Sequence, residues 1–161
     1  MAAVSDRALD PGQIRNAEFA MRLRHLLAQH GLALEWAAAE LRGDRDIVMT
    51  AVSQHGSALK WAAVELQSDR DIVVAAVSQH GLALQWAAVE MQSDHDIVTA
   101  AISQHGLALE WAAAELRSDR GVVTAAISKD PHALEYADDA LLEDESLAEQ
   151  ARQQFLFFKI F

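Results

Sequence analysis

The chain has no cysteine, two prolines (Pro11 and Pro131), one tyrosine (Tyr136), and 13 lysines and arginines against 24 aspartates and glutamates. Each scarcity excludes something. Without cysteine there are no disulfides and no thiolate metal sites, and the redox compartment stays open. Alanine supplies 32 of the residues behind the 52% apolar content. Little proline and much alanine suit close-packed short helices rather than a sheet, since alanine is the best helix former and is depleted in strands. A net charge of −11 argues against nucleic acid and anionic membrane as partners, because both select a basic surface. No apolar run reaches the ~18 residues that would span a bilayer. The start "MAAVSDRALDPGQ" has no apolar run behind a basic segment, and Asp6 and Asp10 speak against a transit peptide. The expectation is a soluble intracellular chain, and 161 residues suffice for one domain with a core.

What the chain does have is one phrase repeated. His30, His55, His80 and His105 are spaced by 25 residues, and so are Trp36, Trp61, Trp86 and Trp111. A fifth copy carries Asp130-Pro131 for His-Gly and Tyr136 for Trp. The units run 19–43, 44–68, 69–93, 94–118 and 119–143, and units 69–93 and 94–118 differ at only 7 of 25 positions.

Each unit reads as two short helices. Ser68-Asp69-Arg70-Asp71 has the form of an N-cap serine with an acidic residue three later, a capping-box variant. Ile72, Val73, Ala76 and Val77 follow as one apolar stripe at helical spacing. His80-Gly81 ends that helix, with glycine expected in the left-handed conformation that closes a last turn. A second helix is expected from about Leu82 to Gln92, with Leu84, Ala87, Ala88 and Met91 on one face and Leu82, Trp86 and Val89 on the other. Two such helices cannot bury these faces alone, but stacked copies can. Terminal copies depart from the pattern as caps do. Arg22 stands where later units have isoleucine, a longer helix is expected from about Pro11, and "LLEDESLAEQARQQ" opens a sixth helix.

The pattern D-R-D-I-V-x-A-A-[VI]-x-Q-H-G-x-A-L-x-W-A-A-x-E-L resembles the tandem helical repeats of domain-of-unknown-function family 4116, over roughly residues 19–151. The resemblance implies repeat helices and brings no catalytic or binding residues. The tail "FLFFKIF" also resembles the opening strand of a β module that can follow such repeats.

The candidate chemistry is weighed against geometry. Equivalent residues on neighbouring helices are expected ~8–10 Å apart, whereas zinc holds nitrogen ligands at ~2.0–2.1 Å. The histidine column therefore reads as helix C-terminal residues interacting with the last carbonyls rather than as a metal site, and His25 and His132 are too isolated to change that. Ser-x-His recurs at Ser53/His55, Ser78/His80 and Ser103/His105, but residues two apart on a helix do not face each other. Two aspartate columns (Asp44, Asp69, Asp94, Asp119; Asp46, Asp71, Asp96) interleave with Arg45, Arg70 and Arg120. They read as helix caps with arginine pairing rather than as a calcium loop.

The binding candidates are three. Trp36, Trp61, Trp86 and Trp111 either fill the seam between units or line a groove for a partner helix or peptide, and their recurrence with Leu82 and Leu107 one turn earlier favours the seam. Two columns vary between copies, Lys60, Gln85, Glu110, Glu135 and Met49, Val74, Thr99, Thr124, and serve equally well as a recognition surface or a solvated face. Phe155, Phe157 and Phe158 make the tail 153–161 apolar with strand propensity, and such a segment has to be covered.

The expected protein is all-α: an α-solenoid of five 25-residue helix-turn-helix repeats over 11–152, with capping helices, a flexible stretch at 1–10 and a short hydrophobic C-terminal tail. No catalytic, metal or cofactor residues are assigned. The expected role is a non-enzymatic scaffold or protein–protein interaction module whose partner is another protein or peptide. The alternative is a structural subunit docked through its ends and tail.

Overall fold

The computed structural model describes Met21, Arg22, His25 and residues 31–160, with side chains in that last stretch from 34 to 156. Expectations for residues 1–10, for a helix from about Pro11, for His30 and for the side chains of Phe157 and Phe158 lie outside the described residues. In chain order the elements are η1 (Gly31–Trp36), α1 (Ala39–Arg42), α2 (Arg45–Gln54), η2 (Gly56–Trp61), α3 (Val64–Gln67), α4 (Arg70–Gln79), η3 (Gly81–Trp86), α5 (Val89–Gln92), α6 (His95–Gln104), η4 (Gly106–Trp111), α7 (Ala114–Arg117), α8 (Arg120–Lys129), η5 (Pro131–Tyr136), α9 (Asp139–Leu142) and α10 (Glu145–Ile160), where η marks a 3₁₀ helix. No strand occurs among the described residues.

The long helices start where aspartate can accept backbone N–H groups. Asp44, Asp69, Asp94, Asp119 and Asp144 each do so at the first turn of the helix that follows. The cap is thus the aspartate and not the preceding serine. Ser93 and Ser118 instead donate their hydroxyls back to Val89 and Ala114, closing the one-turn helix before. An N-cap of this kind stabilises by roughly 0.5–2 kcal/mol. Behind it, Ile72, Val73, Ala76 and Val77 are fully buried, as are their counterparts in the neighbouring units, and together they form the spine of one continuous core.

The expected second helix is not one helix. Leu82–Gln92 divides into η3, an extended Ala87-Ala88 pair and the single turn α5. The break has a cause in the unit before: the extended Ala88 N–H donates to the Gln67 carbonyl at 2.9 Å. Ala63 to Arg42, Ala113 to Gln92 and Asp138 to Arg117 repeat the bond at 2.9, 3.0 and 3.0 Å. An unbroken helix would bond that N–H internally and leave the last carbonyl of the previous unit without its partner. The Gln92 side chain then reaches back to the Leu84 carbonyl at 3.1 Å, satisfying the open end of η3.

Glycine works differently from the expectation as well. No glycine among the described residues has positive φ. The extended residue that ends the long helix is the histidine, with His80 at φ −151°. Gly81 is there because the next long helix comes too close for a side chain: a Cβ on Gly81 would lie well inside van der Waals contact of the Ala101 carbonyl oxygen, and one on Gly106 would lie 2.6 Å from that of Ala126.

Stacking follows. The long helices pack side by side in one layer and η1 to η5 side by side in another, and each long helix up to α8 is flanked by the 3₁₀ helices before and after it. The outcome is the all-α solenoid of tandem 25-residue units. The C-terminal segment departs from its expectation, because 153–160, whose composition allowed a strand, continues α10 as helix. Residues 155 and 156 are Phe and Leu where earlier units have His-Gly, so nothing there terminates the helix, and no described strand is present to pair with.

Candidate binding surface

The tryptophans occupy the seam side, at different depths. Trp61, Trp86 and Trp111 are half-buried and lie against the core, whereas Trp36 is 84% exposed. Trp61 leans on the preceding unit. The Arg42 guanidinium lies 5.9 Å from the Trp61 ring centroid, and Lys60 covers the same ring at 4.8 Å. Arg42 is held in place by bonds to the Ala37 and Glu35 carbonyls at 3.0 and 2.7 Å. The other residues of the second apolar face split, Leu82 being half-buried and Val89 exposed. In the variable columns, Lys60, Glu110 and Glu135 are exposed. Gln85 is half-buried and donates to the Leu82 carbonyl. Met49 rests against the core rather than on the polar side.

The histidines are exposed, and it is the backbone N–H of each, not the ring, that closes the long helix. Their spacing is tighter than the sequence argument allowed. His80 and His105 stand edge to face with ring centroids 6.2 Å apart, because the glycine after each lets consecutive units approach closely. Among the described residues, no group of three or more histidines and carboxylates could hold a metal ion. Ser53 and Ser103 spend their hydroxyls on their own helix, on the carbonyls of Met49 and Ala100, both at 2.7 Å.

A charged ladder runs along the opposite edge. Arg45 bonds Asp69 at 2.8 Å and Asp71 at 2.7 Å, Arg70 bonds Asp94, and Arg120 bonds Asp144, so each arginine ties its unit to the cap of the next. The hydrogen bond from the guanidinium is the chief reason that the carboxyls of Asp69, Asp94 and Asp144 are held below the usual carboxylate range. The rung at His95 is missing. His95 replaces arginine and lies 3.9 Å from Asp96 of its own unit, with no ion pair to Asp119.

A further irregularity lies at the end of the stack, where the sequence showed Asp130-Pro131 and Phe155 as separate features and not the groove that joins them. Pro131 stands in the glycine column, Leu142 in the column of Arg42 and Arg117, and Phe155 in that of the histidines. Between η5 and α10 a groove of about 420 Å³ opens, lined by Pro131, His132, Leu134, Leu142, Ala151 and Phe155 among others. Leu142 is 40% exposed, Phe155 47% and Leu156 61%. The His132 ring meets Phe155 edge to face at 5.2 Å and its Nδ1 lies 3.3 Å from Glu135. The three departures from the repeat were the signal that could have found it.

A tandem helical stack with a buried repeated frame is a class of protein in its own right, and the comparisons place this one. The family model "Domain of unknown function (DUF4116)" matches four overlapping segments, 18–67, 44–92, 69–117 and 94–142, in step with the structural units. The chain belongs to the DUF4116 family. No curated protein and no solved structure matches it.

Proposed function

We propose that this chain is a non-enzymatic repeat scaffold that binds another protein or peptide. The observation that carries the reading is the division of labour within each unit. In units 44–68, 69–93 and 94–118 the frame positions (Ile72, Val73, Ala76, Val77, Leu84 and their counterparts) are buried and vary only among aliphatics, while outward positions on the same elements change from copy to copy. The column Lys60, Gln85, Glu110, Glu135 runs from positive through neutral to negative on a constant backbone, and a varied stripe on a repeated frame suits an extended recognition surface. Among the described residues, no helix is long and apolar enough to cross a membrane.

The test compares the wild-type chain with a variant carrying Lys60→Ala, Gln85→Ala and Glu110→Ala, matched by circular dichroism. Cross-linking and co-purification should recover a partner with the wild type and lose it with the variant. Equal recovery by both would remove the stripe from the proposal. A second reading, a structural subunit docked through its C-terminal end, is favoured by the exposure of Leu142, Phe155 and Leu156. It predicts concentration-dependent assembly in sedimentation experiments that Phe155→Ser with Leu156→Ser abolishes.

A further inference from the structure

We infer that the groove between η5 and α10 is a docking seat for a short apolar 3₁₀ turn of a partner protein, built like the chain's own Gly-x-Ala-Leu-x-aromatic segments. This deepens the reading of the chain as a protein-binding module and rests on it.

Continuity along the stack points to the occupant. In every inner joint the notch between one 3₁₀ helix and the following long helix is filled by the next 3₁₀ helix: η5 lies against both η4 and α8, and η4 against both η3 and α6. After α10 no such element follows among the described residues, because α10 runs on as helix to Ile160 where α8 stops at Lys129. The notch therefore stays open, with the apolar character of an inner joint. Pro131 widens it. Gly106 sits almost on the Ala126 carbonyl, whereas a proline ring at the equivalent place cannot approach Ala151 in that way. The receiving residue is changed to match. Arg42 accepts the Trp61 ring on a guanidinium, and Leu142 in the same column offers an aliphatic surface.

Charge selects among such turns. The fifth residue of successive 3₁₀ helices forms one column, Lys60, Gln85, Glu110, Glu135, so a seated turn places its fifth residue beside Glu135. A lysine there is complementary, and the chain's overall charge of −11 favours a basic partner from a distance. A second copy cannot supply the turn from η2 to η5, since each is already covered by its predecessor on the side it would present.

The test titrates the ¹⁵N-labelled full chain with the peptide QHGSALKWAA, which has the sequence of residues 54–63. Saturable amide shifts are expected at 132–136, 142 and 148–155, and a peptide with alanine at its leucine and tryptophan should give none. Leu142→Glu should weaken binding by about tenfold or more, as for removal of an interface anchor. Glu135→Lys should weaken it too, and a peptide with glutamate in place of lysine should recover the loss. That charge exchange separates a lost contact from a damaged fold. Absence of saturable shifts, shifts confined to the Lys60–Glu110 stripe, or no recovery on charge exchange would overturn the seat. Shifts on the stripe would at the same time support the broader reading, and no peptide binding alongside stripe-dependent capture of a protein would leave that reading standing alone. A wild-type chain already dimeric with the groove protected would assign it to a second copy and overturn the proposal.

Discussion

The inner joint between units 69–93 and 94–118 and the last joint between 119–143 and α10 use the same architecture with opposite results. In the inner joint Gly81 lets two backbones nearly touch, Leu84 is fully buried, and Arg70 ties the cap of the next unit. In the last, proline replaces glycine, the leucine of the same column (Leu134) is only half-buried, and a groove replaces contact. The ion pair survives, since Arg120 bonds Asp144. The comparison teaches that the charged rung does not close a joint. Closure comes from the missing Cβ and from the 3₁₀ helix that follows.

The largest effect should come from the leucine column. Leu84→Ala removes a fully buried side chain and should cost ~2–5 kcal/mol, while Leu134→Ala, beside an open groove, should cost clearly less. Urea melts of both variants measure the difference, and equal costs would mean that the last joint is as well packed as the inner one. Next comes glycine. Gly81→Ala forces a Cβ into a carbonyl and should destabilise by about 1–3 kcal/mol. Gly43→Ala, where φ is −93° and the nearest atom would be 3.6 Å away, should stabilise by about 0.4–1 kcal/mol. Thermal melts showing the two substitutions with the same sign would contradict the close-approach explanation.

The ladder gives smaller effects. His95→Arg supplies the missing rung to Asp119 and should raise the melting temperature by about 1–2 °C at low salt. The gain should vanish near 1 M salt, where screening acts within ~3 Å. Because the carboxyls of Asp69, Asp94 and Asp144 have folded pKa values below their unfolded ones, their contribution is fully present above about pH 4. It is lost as the pH falls through the folded values, so acid titration followed by circular dichroism should show stability falling there. The smallest change is Trp36→Ala, within about 0.5 kcal/mol, since the ring is mostly in water. Single-tryptophan chains should show readily quenched, red-shifted emission from Trp36 and protected, blue-shifted emission from Trp86.

Much of this fold was legible because its period is: 25-residue spacing fixed the units, and Ile72, Val73, Ala76 and Val77 fixed the buried stripe. What helical periodicity could not show was the break at Ala87-Ala88, because its cause is a carbonyl 21 residues earlier. Nor could it show why Gly81 is glycine, since a left-handed cap and a close neighbour select the same residue. The tail misled by composition: Phe155 to Ile160 has strand propensity, but a helix already under way needs a terminator to stop. At the binding surface the columns were readable by position and the depths were not. Trp36 and Trp61 hold the same place in the repeat, yet Arg42 and Lys60 cover the Trp61 ring while Trp36 is exposed.

The bond from Ala88 to the Gln67 carbonyl, repeated at Ala63, Ala113 and Asp138, has a consequence for how such a chain grows. A four-residue helical turn is too short to persist on its own. Here α3, α5, α7 and α9 are each completed by the turn before them, so each of these units is templated by its predecessor and offers a like template to its successor. Insertion of a whole 25-residue copy leaves every template intact. An insertion of one residue more or fewer shifts that N–H away from its carbonyl and severs the relay at that point. Length in this chain is therefore quantised, free to change by duplication and locked against drift.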